Sequence, residues 1–440
     1  METVTLMPNG KAQNATAEPL MTVYLYGSFA SYVTAKTRCY LLKKGIPFIE
    51  RTPGHPRFRA HVRANTLNHR IPQLELADGT AIQDSVAIMD KLEELYPEPP
   101  VYPPGTKQRL VTRLFETLID GLLGRPAWHY RWNYMKENYG FVGKEFGRSF
   151  RPQGSDEELD HFGNIIAERM EGKRSGIGAS EEALPIFESL YIDALEILED
   201  HFTTTPYLFG GRPSVADFAL MGPLFGHLAR DPQPSLIMKQ RAPRVFRWTE
   251  SMNTPDIQSP EFADFEPQFA ANDSLPGRTQ DLLLLCIEAA GESLPRTAEI
   301  YNSWVSTRLE DPTDTMVSKD RDEPSIGTYS TILRGVEIQN QAGLYQLWTH
   351  QRALDWFESL SPENKNECRA FLRQLNAESL VDIKLDRRLT RVNSHIALGA
   401  IWDFESALNP INPCSSAIKK LMLLVIGKLT RYFLHGVPIN

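Results

Sequence analysis

The chain has 440 residues, 42% hydrophobic, 10% aromatic and 23% charged, which is ordinary globular composition, and at that length one core stops growing, so two or three domains are expected. Lys plus Arg number 47 against 55 Asp plus Glu, a formal charge of -8; a mildly acidic whole argues against a dedicated nucleic-acid binder, because phosphate affinity needs a net basic face. Four scattered cysteines, Cys39, Cys286, Cys368 and Cys414, are too few for a disulfide scaffold or a thiolate metal site, and an intracellular protein needing no metal is the default reading.

The first twenty residues lack a charged segment followed by an apolar run, so residues 1–20 read as a disordered leader and not a secretory signal. From Met21 the pattern changes. MTVYLY reads as a strand ending at Gly27. Ser31 to Lys44 carries helical spacing, with Ala35, Cys39 and Leu42 on one stripe and Gly45 as the stop. Pro47 to Arg51 is a short second strand, followed by a basic, irregular stretch. Ile71 to Leu76, a turn at Asp78 and Gly79, and TAIQ make a hairpin. Asp84 and Ser85 open a helix with Ile88, Met89, Leu92 and Leu95 on one face, closed by Pro97. The proline-dense PPVYPPG (Pro99 to Gly105) is a linker, and residues 21–104 form the first domain.

Beyond it strands nearly vanish. Lys107 to Leu123, Glu157 to Glu171, Leu184 to Phe202 and Val215 to Ala229 read as helices of a second domain over residues 105–270. Residues 271–440 read as a mostly helical extension packed on it. Its helices are expected near Gln280 to Ala290, Arg296 to Arg308, Leu344 to Leu360, Pro362 to Leu375 and Ser416 to Leu434, with a small hairpin around Arg334 and Gly335. No apolar stretch reaches the ~20 residues that a bilayer requires; the longest near the C-terminus is Leu421 to Ile426. A cytoplasmic protein is expected.

Three stretches in this order carry a family likeness: LYGSFASYVTAKTRCYLLKKGIPF (Leu25 to Phe48), HRIPQLELADGTAIQDSVAIMDKLEELYP (His69 to Pro97) and PYLFGGRPSVADFAL (Pro206 to Leu220). Over Met21 to Pro255 the chain resembles a glutathione transferase. The resemblance implies an α/β plus all-α protein: a thioredoxin-like N-terminal domain that binds glutathione, then a transferase-type helical domain, here with extra helices. It implies a glutathione-dependent transferase in which the thiolate attacks an apolar or aromatic electrophile, or a glutathione-dependent isomerisation or elimination. Glutathione would be cosubstrate or cofactor, with no metal and no nucleic acid, and the chain would form a homodimer. A non-catalytic transferase-like scaffold for protein association is the alternative, favoured by Tyr32 where the family has proline, by Asp84 where it more often has Glu, and by the long extension.

Ile71-Pro72 stands at a strand start, where an X-Pro bond adopts cis at modest cost and lets an extended peptide pair like an added strand; in the family this holds the cysteinyl part of glutathione. Asp84 and Ser85 stand at a helix N-terminus, where Ser caps free N–H groups and the dipole favours a carboxylate. By resemblance Ser85 takes the γ-glutamyl carboxylate and Asp84 the α-amino group; the alternative is an ordinary cap. Ser31 follows the first strand at the next helix mouth, and a hydroxyl there, with the helix dipole, stabilises a thiolate. Bringing a thiol from ~8.5 to ~6.5 needs ~2.7 kcal/mol, within reach of those two effects. Ser28 is the second candidate; Tyr24 and Tyr26 are out of register for this role. With no Cys at position 31, chemistry through a protein thiol is disfavoured.

The stretch Arg51 to Arg70 holds five Arg and three His without one acid, a local positive patch in which Arg63, His69 or Arg70 would meet the glycyl carboxylate; a solvated basic surface is as good a reading for any single member. Phe29 and Tyr32 flank Ser31, and Pro126 to Met135 packs Trp128, His129, Tyr130, Arg131, Trp132 and Tyr134 together. In the resemblance this helix borders the second-substrate pocket, so Phe29, Tyr32, Trp128, Tyr130 and Arg131 are its expected walls. An aromatic stripe at helical spacing is more often core. Ser214 and Asp217 read as a capping box, a folding signal.

Overall fold

The computed structural model describes residues 22–171, 178–317 and 325–401; the expected leader and the expected helix Ser416 to Leu434 lie outside them. The first sheet grows from the alternation seen in the sequence. β1 (Val23–Tyr26) pairs in parallel with β2 (Phe48–Arg51) and antiparallel with β3 (Gln73–Glu75), and β3 pairs antiparallel with β4 (Ala81–Gln83), giving the order β2-β1-β3-β4. α1 (Tyr32–Lys44) makes the crossover between the parallel strands and ends at Gly45 in the left-handed region, as its stop signal requires. The short α2 (Arg63–Thr66) follows a π turn, and α3 (Ser85–Leu95) follows the hairpin. This is a thioredoxin-like domain.

A helical domain follows with α4 (Thr106–Asn133), α5 (Met135–Phe150), α6 (Asp156–Glu171), α7 (Leu184–His201), α8 (Val215–Pro223), α9 (Pro232–Arg241) and α10 (Pro243–Ser251). At Pro223 the helix passes into a π turn, Leu224–Leu228. Phe115, Phe187, Phe209, Phe218, Leu195 and Leu198 are buried at its centre. α11 (Thr279–Ala290) belongs to the same compact unit, as does the tip of the later hairpin, residues 330–339.

The second compact unit holds α12 (Ser293–Val305), α13 (Leu344–Glu358) and α14 (Pro362–Gln374). The hairpin β5 (Ser325–Leu333) and β6 (Val336–Gly343) turns at Arg334 and Gly335, both with positive φ, where the sequence places it. A second hairpin, β7 (Arg387–Val392) and β8 (His395–Ile401), lies in sequence that carries no expected strand. The extension is therefore helical with two ribbons added. Among the described residues no helix is long and apolar enough to cross a membrane.

His350 on α13 is 1% exposed; its Nε2 faces the Leu380 carbonyl at 2.7 Å and its Nδ1 is buried with no partner among the described residues. Burial lowers its pKa from 6.5 to about 4. The folded-state pKa is depressed, so the unfolded chain binds the proton first and stability is lost as pH falls from 6.5 towards 4. At pH 5 this group alone costs about 2 kcal/mol. His350→Gln keeps a donor to Leu380 and should flatten the difference between denaturant unfolding at pH 7 and at pH 5 by that amount.

Candidate functional site

The parallel pair β1–β2 sends its carboxyl ends to one edge, the edge where ligands gather in such sheets. Gly27 turns the chain there: a Cβ on it would meet Thr34 Cγ2 at 2.2 Å, so only glycine lets the loop lie against α1. Ser31 then caps α1. It sits in extended backbone and its Oγ accepts the Thr34 N–H at 3.2 Å, which leaves the hydroxyl proton to be donated outward at the positive end of a thirteen-residue helix. Ser31 is half-buried.

Ser28 is differently placed. It is 7% exposed, its Oγ accepts the Ala30 N–H at 3.2 Å, and it meets Ser149 Oγ on α5 at 2.6 Å. Because Ser149 donates to the Glu145 carbonyl at 3.1 Å, Ser28 is the donor in the pair and its one proton is committed. Tyr26 is fully buried, donating to Glu75 at 2.9 Å and accepting from Arg51 at 3.0 Å, and burial raises its pKa. Cys39 is buried, and burial holds its thiol protonated.

The Ile71–Pro72 peptide is cis. Pro72 O accepts the Asp84 N–H at 3.2 Å, so the start of β3 and the mouth of α3 are joined directly. Asp84 lies at φ 94 and its Oδ1 accepts the N–H groups of Val86 at 2.9 Å and Ala87 at 3.3 Å. A non-glycine residue at that φ costs roughly 1–3 kcal/mol and persists where the surroundings over-determine it. The capping bonds are thus made by Asp84 and not by Ser85, contrary to expectation. Ser85 occupies the first helical position, 1% exposed, and its Oγ has no hydrogen-bond partner among the described residues. Beside it, the buried Gln73 side chain donates to the carbonyls of Asn68 at 2.9 Å and Arg70 at 2.8 Å, pinning the loop that carries the half-buried His69 and Arg70.

The positive patch is partly neutralised by an acid from outside it. Glu75 on β3 is 2% exposed; Arg57 forks onto it and His61 lies 3.6 Å away. The Arg57 guanidinium holds the Glu75 carboxyl below the usual range.

The aromatic residues divide. Phe29 is 48% exposed, with the Arg38 guanidinium 3.9 Å over its ring and Phe225 edge-on at 6.3 Å. Tyr32 and Trp128 are half-buried; the Tyr32 hydroxyl donates to Asp120 at 2.7 Å, and Lys36 pairs with the same carboxylate at 2.6 Å. Tyr130 and Arg131 are each 2% exposed. Tyr130 stacks on Tyr134 at 5.4 Å and meets Tyr191 edge-on at 5.3 Å, while Arg131 is spent on a buried ion pair with Asp231 at 2.6 Å. These two are core, and no open wall of a pocket; the partner of Arg131 lies 100 residues away in sequence, which no local pattern displays.

The helical domain meets the site through the π turn. A Cβ on Gly226 would lie 2.7 Å from Tyr32 Cα and 3.3 Å from Ser31 O, so glycine lets this turn touch the backbone of the cap. Gly226→Ala forces the two apart at a cost of about 1–3 kcal/mol, to be read as a lowered unfolding midpoint.

Residues 25–100 match the model of the glutathione S-transferase N-terminal domain, and residues 181–251 match that of the glutathione S-transferase C-terminal domain. Over these two segments the chain is similar to the two domains of a glutathione transferase. Solved structures similar to this chain include a glutathione S-transferase from Methylobacterium radiotolerans crystallised with glutathione sulfonate (20% identity, 57% of this chain and 97% of that one, TM-score 0.33). They include also the β-etherase LigF from Sphingobium sp. strain SYK-6 (19%, 55% and 97%, TM-score 0.37) and FzlA from C. crescentus (18%, 60% and 99%, TM-score 0.31). A search of curated proteins gives no match. In this transferase-like chain both domain matches fall on the elements described above, the first on β1 to α3 and the second on α7 to α10.

Proposed function

We propose that this chain binds glutathione along the Ile71 backbone, seats the γ-glutamyl carboxylate on Ser85 at the mouth of α3, and holds the thiolate against the Ser31 hydroxyl. The thiolate then attacks an electrophile, with its sulfur forming the new bond as the leaving group departs, or with the thiol recovered in an isomerisation or elimination. The observation that carries the reading is the Ser85 hydroxyl, buried and without a partner among the described residues, beside a strand start hydrogen-bonded to the same helix mouth. A buried unsatisfied hydroxyl costs about 1–3 kcal/mol, and a ligand carboxylate removes that cost. Phe29 is exposed, and Tyr32 and Trp128 half-buried, apolar surface suited to an apolar or aromatic second substrate.

Calorimetry with glutathione tests this. Binding is expected, and Ser85→Ala should weaken it by about ten- to a hundredfold, the worth of a hydrogen bond to a charged group. No heat at millimolar glutathione sinks the proposal. One observation favours a scaffold that binds no thiolate: Asp84 uses an oxygen of its carboxylate as helix cap. Binding of glutathione without thiolate absorbance in the ultraviolet selects that reading.

A further inference from the structure

Arg131 stands in the middle of the aromatic stretch of α4, and its charge is almost completely buried. Its planar fork makes four hydrogen bonds to three separate parts of the chain: Nε and Nη2 to the Asp231 carboxylate at 2.6 and 2.8 Å, Nη2 also to the Gly226 carbonyl at 2.9 Å, and Nη1 to the Ala30 carbonyl at 2.9 Å. Asp231, just before α9, is fully buried as well. Ala30 immediately precedes the cap residue Ser31, and Gly226 is the glycine whose missing side chain lets the π turn touch Ser31 and Tyr32. The same loop is gripped from α5 through the Ser28–Ser149 hydroxyl pair at 2.6 Å. The loop between β1 and α1 is therefore held on both sides by the helical domain.

We infer that Arg131 is a positioning residue: acting through the Ala30 carbonyl and the Gly226 turn, it fixes the Ser31 hydroxyl at the place where a bound thiolate meets it. The inference rests on the proposed glutathione chemistry and adds the element that governs it. A fork of five N–H groups in one plane reaches a carboxylate and two carbonyls at once, which an ammonium cannot do with the same geometry. The tripeptide itself is gripped elsewhere, at Ile71 and Ser85, so loosening the Ala30 loop affects the sulfur without releasing the ligand. Arg131 touches neither partner of the reaction.

The test uses the full chain with glutathione as the probe and reads three quantities for each variant: glutathione affinity by calorimetry, thiolate absorbance of the bound thiol at neutral pH, and the kcat and KM of turnover with an activated aryl halide. Arg131→Lys keeps the charge for Asp231 but not the fork. The double variant R131M/D231L removes the buried pair outright, a replacement that proteins often tolerate, and with it the bond to Ala30. Both should bind glutathione within about threefold of the wild type, while the thiolate signal and kcat fall by about tenfold, the effect of one lost hydrogen bond to a charged centre. A folded variant that keeps the wild-type thiolate signal overturns the inference and leaves the glutathione reading intact. Wild-type protein that binds glutathione without any thiolate signal overturns both. One further result needs no variant: a glutathione complex in which Ala30 has left Arg131 contradicts the positioning role.

Discussion

Ser31→Ala is expected to lower turnover by about 10²–10³-fold, the usual effect of removing a preorganised donor from a developing or stabilised anion. The hydroxyl has two duties. As acceptor it caps α1 through Thr34 N–H, and losing that costs about 1 kcal/mol of stability. In the proposed reading it also donates to the bound thiolate with the helix dipole behind it, and losing that donor would remove thiolate. The two effects separate by measurement, because the thermal midpoint reports the cap and ultraviolet thiolate absorbance reports the donor. Ser31→Thr retains both groups and should stay near wild type in each. Ser28→Ala provides the contrast: its proton is already committed to Ser149, so the thiolate signal should fall far less than in Ser31→Ala. Equal losses in Ser28→Ala and Ser31→Ala would count against the assignment.

The second large effect lies in the core. Asp217 is fully buried in α8, and its carboxylate accepts the Leu208 N–H at 2.9 Å and both the N–H and the hydroxyl of Ser214 at 2.8 Å. It closes a capping box and also fastens the preceding loop to the helix. Asp217→Ala leaves three donors buried without an acceptor, at about 1–3 kcal/mol for each that no relaxation rescues. We expect a loss of about 3–5 kcal/mol in denaturant unfolding, enough to shift most of a marginally stable domain towards the unfolded state. Asp217→Asn keeps one acceptor and should cost less. A loss below about 1 kcal/mol for the alanine variant would show that the box is dispensable.

What the sequence reveals is what is local. The strand-loop-helix at Leu25, the proline before β3 and the helix mouth at Asp84 are each written in a few consecutive residues, and the structure has all three. α5 is not legible, because Gly140, Gly143 and Gly147 read as breakers. In the fold two of them are contact points: a Cβ on Gly147 would meet Leu159 O at 2.2 Å, and the Gly143 carbonyl lies 2.4 Å from where a Cβ on Gly163 would stand. α5 and α6 approach at glycine distance, a requirement no propensity scale states. The β7–β8 ribbon is hidden for a similar reason, since its turn is Asn393 and Ser394, both at positive φ, without the glycine that marks such turns. Arg131 looks like a ligand group among aromatics because its acid is distant in sequence. Glu75 compensates the basic stretch from a neighbouring strand in the same unreadable way.

The most direct test of the account is a structure of the chain soaked with glutathione. It should show the cysteinyl backbone paired with Ile71, the γ-glutamyl carboxylate within hydrogen-bonding reach of Ser85 Oγ, and the sulfur beside Ser31 Oγ. An empty edge at saturating glutathione, or a sulfur lodged away from the mouth of α1, would contradict it.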